Sequence, residues 1–290
     1  MSERDPFTVF RARMDALGFR PSSVLGQNFL LDPSLHRFLA DRAGPTAADT
    51  VVEIGVGLGF LTRELAARAG RVVAVEIDAR LHQLAREELA DVPAIEWVLG
   101  DALSGPGRTL HPAIAAAAPP PGGRLLVVAN LPYSVSGPLL AELLALPALP
   151  SRCVLLVQKE LAQRVAAPCG HADYGGLSAL VQAMMVAKLV RDVGPQVFRP
   201  RPKVVSAVLE LECRRDGPLA DVDAAGRRSF AVFVRQLFQQ RRKVLRTTLA
   251  AAASAIGRPA PELAAERAAA RAEQLAPDEL VALWRATTTG

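Results

Sequence analysis

The sequence contains little that would place the protein in a membrane or outside the cell. No uninterrupted apolar run approaches the roughly 18 residues that a membrane-spanning helix needs, because the longest candidate, residues 139–149, is interrupted by Glu142 and Pro147. The charged first residues lead into no apolar segment, so we expect no secretory signal. The 3 cysteines are far apart in the chain, which excludes a disulfide framework and a paired metal-ligand spacing. We therefore expect a cytoplasmic protein without a bound metal.

Acidic residues are absent from residues 224–261, although the whole chain carries a net charge of only +5. The cations of this stretch are nearly all arginines: Arg227, Arg228, Arg235, Arg241, Arg242, Lys243, Arg246 and Arg258. Such a cluster is typical either of a nucleic-acid-binding surface or of a solvated helix face, which is the more common fate of a charge run. The distribution of charge therefore says more about a polyanionic partner than the net value does.

Half of the 290 residues are hydrophobic, which is enough for a sizeable core and excludes global disorder. Five short, mainly apolar segments that read as strands alternate with segments of helical periodicity; they are residues 51–54, 72–75, 95–98, 125–129 and 153–157. Continuous apolar strands separated by helices are typical of a parallel sheet with right-handed crossovers. The sequence therefore predicts an α/β fold with a mostly parallel central sheet.

The chain changes character after the fifth run. Residues 184–193 and 204–213 have no obvious helix between them, and we predict that they form a hairpin-like pair at the sheet edge. Asp216-Gly217-Pro218 is a turn signal, and the residues beyond it have helical patterns. The sequence thus predicts two domains, residues 1–215 and a small all-α domain of residues 216–290.

A glycine-rich loop follows the first strand. Gly55, Gly57 and Gly59 separate that strand from a helix, and glycines there let the backbone approach a ligand closely. Glu76 ends the next strand, where its carboxylate can accept hydrogen bonds from ribose hydroxyls. This pair fits any adenosine-containing cofactor, although the glycine spacing is not that of a dinucleotide fingerprint. The alternative is a glycine turn that serves packing alone.

Asp101 follows the third strand, where a carboxylate can accept a hydrogen bond from an adenine amine. The Gly100-Asp101 pair is common in turns and carries little weight alone. It gains weight because it is the third consecutive strand end with an acidic residue, and ligands of open parallel sheets bind at the carboxyl ends of the strands.

The segment Asn130-Leu131-Pro132-Tyr133 lies where the fourth strand ends. It suits the methylation of an exocyclic amine on a base, whose lone pair is delocalised into the ring. The side-chain carbonyl of Asn130 and a backbone carbonyl constrained by Pro132 can accept the two N–H bonds and favour the pyramidal, nucleophilic geometry. Tyr133 offers an aromatic face for a flipped base. An ordinary strand-to-helix turn is the alternative interpretation.

With these motifs the chain resembles the ribosomal RNA adenine N6,N6-dimethyltransferases over nearly its whole length. The segments that carry the resemblance are residues 25–30 (Leu-Gly-Gln-Asn-Phe-Leu), 53–62, 130–133, 157–160, 173–175, 198–204, 240–246 and 271–275, together with Glu76 and Asp101. The family often has proline where Val56 stands. The last two segments are similar to the C-terminal domain of the small-subunit branch of the family.

The resemblance implies a Rossmann-like class I methyltransferase fold and S-adenosylmethionine as the methyl donor. It also implies roles for individual residues: Asn28, Leu30, Gly55, Gly57, Glu76, Asp101 and Asn130 bind the cofactor; Asn130, Leu131, Pro132 and Tyr133 form the catalytic motif; and Tyr133 and Phe198 enclose the target adenine. The implied reaction is N6,N6-dimethylation of two adjacent adenosines near the 3′ end of 16S rRNA.

We expect the partner to be rRNA in a pre-30S particle, contacted through phosphates by Arg241, Arg242, Lys243 and Arg246, and the protein to be a monomer. Two other hypotheses remain open. One is a related methyltransferase acting on large-subunit rRNA or on DNA adenine. The other is a ribosome-assembly binding protein whose methylation is dispensable.

Overall fold

The computed structural model describes residues 12, 14–16, 18–22, 26–240 and 242–287. The strands in this part of the chain are β1 (Phe29–Leu30), β2 (Thr50–Ile54), β3 (Arg71–Glu76), β4 (Ile95–Leu99), β5 (Leu125–Asn130), β6 (Arg152–Gln158), β7 (Met185–Val193), β8 (Phe198–Arg199) and β9 (Ser206–Cys213). The α-helices are α1 (Pro33–Ala43), α2 (Phe60–Ala66), α3 (Ala79–Glu88), α4 (Pro112–Ala115), α5 (Ser136–Leu143), α6 (Lys159–Ala166), α7 (Gly176–Met184), α8 (Ala224–Phe238), α9 (Leu245–Ser254), α10 (Ala265–Ala269) and α11 (Pro277–Ala286).

Seven strands form one sheet in the order β4-β3-β2-β5-β6-β9-β7, and β1 pairs with β8 in a separate antiparallel ribbon. The pairs β2·β3, β3·β4, β2·β5 and β5·β6 are parallel. The prediction of a mostly parallel central sheet is confirmed. The strand order reverses between β2 and β5, and such a switch point opens a crevice outside the carboxyl ends of the strands.

The central strands are buried on both faces, as their continuous apolar runs predict. All residues of β2 are buried, and so are those of β5 up to Ala129. The side chains of β2, β3 and β5 pack with helices α1 and α2 in one hydrophobic cluster that includes Leu39, Leu65, Val72 and Leu126. This packing places the three strand ends of the predicted cofactor site side by side.

The helix that follows β3 begins directly after Asp78. The side chain of Asp78 accepts hydrogen bonds from the backbone N–H groups of Arg80 and Leu81, which have no partner within the helix. This cap fixes the point at which the chain leaves Glu76 and turns into α3. The last strands match expectation, since β7 and β9 are neighbours at one edge of the sheet.

The chain divides into two compact units. The first contains residues 1–139, 150–159 and 190–210, and the second contains residues 140–149, 160–189 and 211–290. This division is discontinuous, whereas the proposed domain boundary after residue 215 cuts the chain once. From residue 216 to 287, with Arg241 not described, the regular elements are helical.

One arginine of the acid-free stretch is structural. Arg227, on α8 in the second unit, is buried and donates to the backbone carbonyls of Leu144 and Leu146, with a further bond to that of Val222. A buried guanidinium without such acceptors would be strongly destabilising. Arg227 therefore holds residues 140–149 against α8 and is not available to an external partner.

Among the described residues, none of the helices combines the length and the apolar character required to cross a lipid bilayer.

Candidate active site

One cavity of the first unit lies at the carboxyl ends of β2, β3 and β5. It is lined by the N-terminal motif, the glycine loop, the end of β3 and the segment after β5: Gly26, Gln27, Asn28, Phe29, Leu30, His36, Glu53, Gly55, Val56, Gly57, Leu58, Phe60, Leu61, Glu76, Ile77, Leu81, Asn130, Leu131, Pro132 and Tyr133. The fold therefore brings together every residue predicted for the catalytic motif and all of those predicted for the cofactor except Asp101.

The glycine loop needs glycine for conformational and steric reasons. Gly57 has a φ of +59°, a left-handed conformation that L-residues rarely adopt. A Cβ atom at Gly57 would lie 3.2 Å from the ring of Phe29. The loop backbone thus passes close to the N-terminal motif, and the space in front of it stays open to a ligand.

Glu76 is held in place by the loop that it faces. One carboxylate oxygen accepts a hydrogen bond of 2.8 Å from the N–H of Gly57, and the other accepts one of 2.9 Å from the N–H of Asp78. Burial raises the pKa of Glu76 although these two bonds oppose the shift. The carboxylate is thus oriented before any ligand binds, and each oxygen keeps a lone pair for a hydroxyl group.

Glu53, near the end of β2, was not assigned a role by the sequence analysis. It is 1% exposed, it lines the cavity, and its Oε2 atom has no hydrogen-bond partner among the described residues. Burial raises its pKa to about 8, with a smaller contribution from the neighbouring carboxylate of Glu76. Glu53 is therefore mostly neutral at pH 7 in the free protein. The sequence did contain one signal that Glu53 lies near the site, because it stands two residues before Gly55 of the glycine loop.

The side chain of Asn130 is oriented by the N-terminal motif. Its Nδ2 atom donates a hydrogen bond of 2.9 Å to the backbone carbonyl of Asn28. Because a backbone carbonyl only accepts, the NH2 end must face Asn28, and the oxygen Oδ1 is the end left for a ligand in the cavity. The Asn28 side chain in turn donates to the carbonyl of Gly26.

Hydrogen bonds from residues at the start of α5 hold the backbone of the catalytic motif at Pro132. The carbonyl of Pro132 accepts hydrogen bonds from Val135 N and Ser136 Oγ, so this acceptor is used within the turn. The backbone acceptor available for the predicted amine contact is therefore the carbonyl of Leu131, which precedes the proline. Tyr133 is half-buried and lines the cavity.

Asp101 lines a second cavity that adjoins the first. The two cavities share Gly55, Ile77 and Pro132. Asp101 is exposed, and its Oδ1 atom accepts a hydrogen bond from Leu103 N. The side chain of Ile77, 44% exposed, lies between the Glu76 and Asp101 positions and offers an apolar surface that the sequence analysis did not identify. An elongated ligand would reach Asp101 by extending from one cavity into the other.

Phe198 is placed differently from the prediction. Its side chain is fully buried and belongs to the hydrophobic core cluster, and its backbone pairs with Leu30. Phe198 is not part of the cavity lining. Its neighbour Val197 is also apolar, so the sequence could not separate a core position from a position in the cavity. The contact of Phe198 with a base stays a prediction.

His36, on α1, lines the cavity although the sequence analysis assigned no histidine to the site. It is buried and lies 5.7 Å from the ring of Phe60, measured between ring centroids. Burial lowers its pKa to about 4. The imidazole is therefore neutral at physiological pH and adds no positive charge to the cavity.

The predicted basic cluster lies between two helices of the second unit. Arg242 and Lys243 are exposed in the turn after α8, and Arg246 is exposed in the first turn of α9. Arg241 is outside the described residues. Three of the four predicted cations precede the start of α9 at Leu245, so the cluster does not lie on a single helix.

Comparison with known proteins agrees with this geometry. The family model described as "Ribosomal RNA adenine dimethylase" matches residues 18–267. The chain belongs to this family. "Ribosomal RNA small subunit methyltransferase A" from Deinococcus radiodurans is 41% identical over 239 residues, which are 82% of this chain and 75% of that protein. The protein of the same name from Anaeromyxobacter sp. (strain K) is 42% identical over 249 residues, 86% of each chain.

Two solved structures share the fold. A dimethyladenosine transferase from Plasmodium falciparum has a TM-score of 0.67 at 22% identity, with 87% of this chain and 94% of that chain covered. The 23S rRNA methyltransferase ErmE has a TM-score of 0.60 at 25% identity, with 90% and 100% covered. The Rossmann-like methyltransferase fold is thereby confirmed.

The cofactor of the family, S-adenosylmethionine, fits the residues at this site. The Oε2 atom of Glu53 is a buried polar atom with no protein partner among the described residues, and a Cβ at Gly57 would press on the ring of Phe29. These are the features expected of a site that holds a cationic, adenosine-containing ligand close to the main chain.

Replacing Gly57 by alanine is expected to weaken S-adenosylmethionine binding about tenfold, because the new Cβ would be strained at positive φ and would press on Phe29, displacing the N–H that orients Glu76. Calorimetric titration measures the affinity. Gly257→Ala is the matched control, since Gly257 also has positive φ but open space around it. Equal affinity losses in both variants would contradict this role.

Proposed function

We propose that this protein transfers methyl groups from S-adenosylmethionine to the N6 amines of two adjacent adenosines near the 3′ end of small-subunit rRNA. The observation that carries the proposal is the orientation of Asn130, whose NH2 group is held by the Asn28 carbonyl so that its oxygen is the free polar end. The relatives named for the small ribosomal subunit support this choice of substrate.

When bound, the cofactor supplies a methyl group made electrophilic by its sulfonium. Glu76 holds the ribose hydroxyls and Asp101 the adenine amine, one in each of the adjoining cavities. Gly55 lies between them and leaves the backbone accessible. In this arrangement the protein contributes mainly alignment of the reacting atoms.

The amine of the target adenine is activated by two acceptors. Asn130 Oδ1 and the Leu131 carbonyl accept its N–H bonds and favour the pyramidal form, in which the lone pair is available. Tyr133 stacks on the base. A strong general base is not needed, because the methylated amine is positively charged and acidic. After the first transfer only one N–H remains on the amine. The site must therefore position the base without hydrogen bonds to two N–H groups.

Primer extension across small-subunit rRNA from a deletion strain tests the substrate. We expect the double stop at adjacent adenosines to be absent in that strain and to return with the wild-type gene. An unchanged profile would refute the proposal. Primer extension across large-subunit rRNA from the same strain tests the related alternative, and complementation with an inactive Asn130→Ala gene tests whether binding without methylation suffices.

The proposed RNA-binding residues of the tail, residues 216–290, make a salt-dependent prediction. Replacing Arg242, Lys243 and Arg246 together by alanine should weaken binding to small-subunit particles and reduce the slope of log affinity against log salt by about 1 for each phosphate that is no longer neutralised. Filter binding over a salt series measures the slope. Arg63→Ala, at another helix surface, is the control. An unchanged slope in the triple variant would identify the cluster as a solvated surface.

We further propose that the protein works as a cytoplasmic monomer on pre-30S particles. It needs no metal ion, because the site residues already supply the acceptors that the reaction requires.

A further inference from the structure

Two hydroxyl groups, one of them on Tyr133 of the catalytic motif, form a hydrogen bond. The phenolic oxygen of Tyr133 and the Oγ atom of Ser206 lie 2.6 Å apart and share a hydrogen bond. Ser206 is the first residue of β9 and is fully buried, whereas Tyr133 is half-buried in the turn before α5. Neither the Tyr133 hydroxyl nor Ser206 has a role in the reaction derived so far.

The two ends of this hydrogen bond differ in how firmly the backbone holds them. Ser206 belongs to an interior strand of the sheet, and the residue before it accepts a hydrogen bond from the N–H of Lys159. Tyr133 lies in a turn, and two torsions separate its ring from the main chain. Because the phenolic oxygen is the far end of that ring, a bond to a fixed partner restrains the χ1 torsion and so fixes where the ring lies in the cavity.

The bond persists over the pH range in which the enzyme can be assayed. Burial raises the pKa of Tyr133, and the hydrogen bond to Ser206 opposes the shift only in part. The phenol therefore stays protonated. Loss of the bond would leave the buried Ser206 hydroxyl without this partner, and an unpaired polar group in the interior destabilises the folded state.

We propose that Ser206 is a positioning residue that holds the Tyr133 ring in the place where the target adenine stacks, and that this restraint matters more for the second methyl transfer than for the first. The inference rests on the proposed function. In the first transfer, Asn130 Oδ1 and the Leu131 carbonyl can both hold the amine. In the second, a single N–H remains, so the orientation of the base depends more on the stacked ring.

The test uses small ribosomal subunits from the deletion strain and four enzymes: wild type, Ser206→Ala, Tyr133→Phe and the double variant. Mass spectrometry of digested rRNA gives the ratio of N6-methyladenosine to N6,N6-dimethyladenosine over time. We expect each single variant to slow the second transfer about fivefold or more relative to the first, and the double variant to be no worse than either, since all three lack the same bond.

Two further variants separate positioning from general damage. Ser206→Thr keeps a hydroxyl and should restore the wild-type product ratio. Ser178→Ala removes another fully buried serine hydroxyl, which donates to the Arg164 carbonyl in the second unit. It should lower thermal stability without changing the product ratio. Tyr133→Phe removes the bond from the other side, so the test does not depend on the folding of Ser206→Ala.

A wild-type product ratio in both Tyr133→Phe and Ser206→Ala would overturn the inference, and so would additive effects in the double variant. Failure of the proposed function is a separate outcome, because it concerns the wild-type enzyme alone: no N6-methylated adenosine would then form on the small subunits. Calorimetry with S-adenosylmethionine should show affinities within about threefold of wild type in all single variants.

Discussion

Asn130→Ala is expected to lower kcat on the order of 10²–10³-fold, because it removes a preorganised acceptor that acts on the amine in the transition state. S-adenosylmethionine affinity should change by only about threefold, since the cofactor is held mainly by groups on β2, β3 and the glycine loop. Single-turnover methyl transfer and calorimetry measure the two quantities on the same preparation.

The matched control is Asn28→Ala. The backbone carbonyl of Asn28, which orients Asn130, is retained in that variant, and only the side chain that donates to Gly26 is removed. We therefore expect Asn28→Ala to weaken donor binding more than it slows transfer, the opposite pattern to Asn130→Ala. Equal losses of affinity and turnover in the Asn130 variant would contradict the role assigned to this residue.

The second large effect concerns Glu53 and the stability of the free protein. In the unfolded chain Glu53 loses its proton near the usual glutamate pKa, about 4.3, whereas burial raises its pKa in the folded protein to about 8. The folded state thus holds a proton that the unfolded state releases. The contribution of Glu53 to stability is full below about pH 4.3 and decreases as the pH rises towards and through 8.

Glu53→Gln removes this titration and keeps the shape of the side chain. Relative to wild type, the free energy of unfolding of the variant should rise by on the order of 4 kcal/mol from pH 5 to pH 9. Urea unfolding at pH 5, 7 and 9 measures the difference. Glu87→Gln, on the exposed surface of α3, is the control and should follow the wild-type profile. Parallel profiles for Glu53→Gln and wild type would show that Glu53 is not held as a neutral acid.

Much of the site could be predicted because its residues follow strands. The apolar runs 51–54, 72–75 and 125–129 form β2, β3 and β5, and each is followed directly by a residue that lines the cavity: Gly55, Glu76 and Asn130. Parallel strands place their carboxyl ends at the same edge of a sheet, so the local pattern and the fold class together bring these residues close.

Other features could not be read from local patterns. The bond that orients Asn130 joins residues 102 positions apart, and the bond between Tyr133 and Ser206 joins residues 73 positions apart. Phe198 begins one of the segments that carry the resemblance, yet its ring is in the core. His36 has no motif of its own and reaches the cavity only because α1 packs beside the glycine loop. Each of these depends on contacts between distant segments.

The sequence by itself determined the class of fold, the edge of the sheet at which the cavity lies and the residue types of the catalytic motif, because strand periodicity and turn residues are local properties. Only the tertiary structure decided which atom of Asn130 is free, that burial raises the pKa of Glu53, and that Arg227 is buried while Arg242 is exposed. Orientation, protonation and exposure depend on burial and on hydrogen-bond partners, and these exist only once distant parts of the chain have packed together.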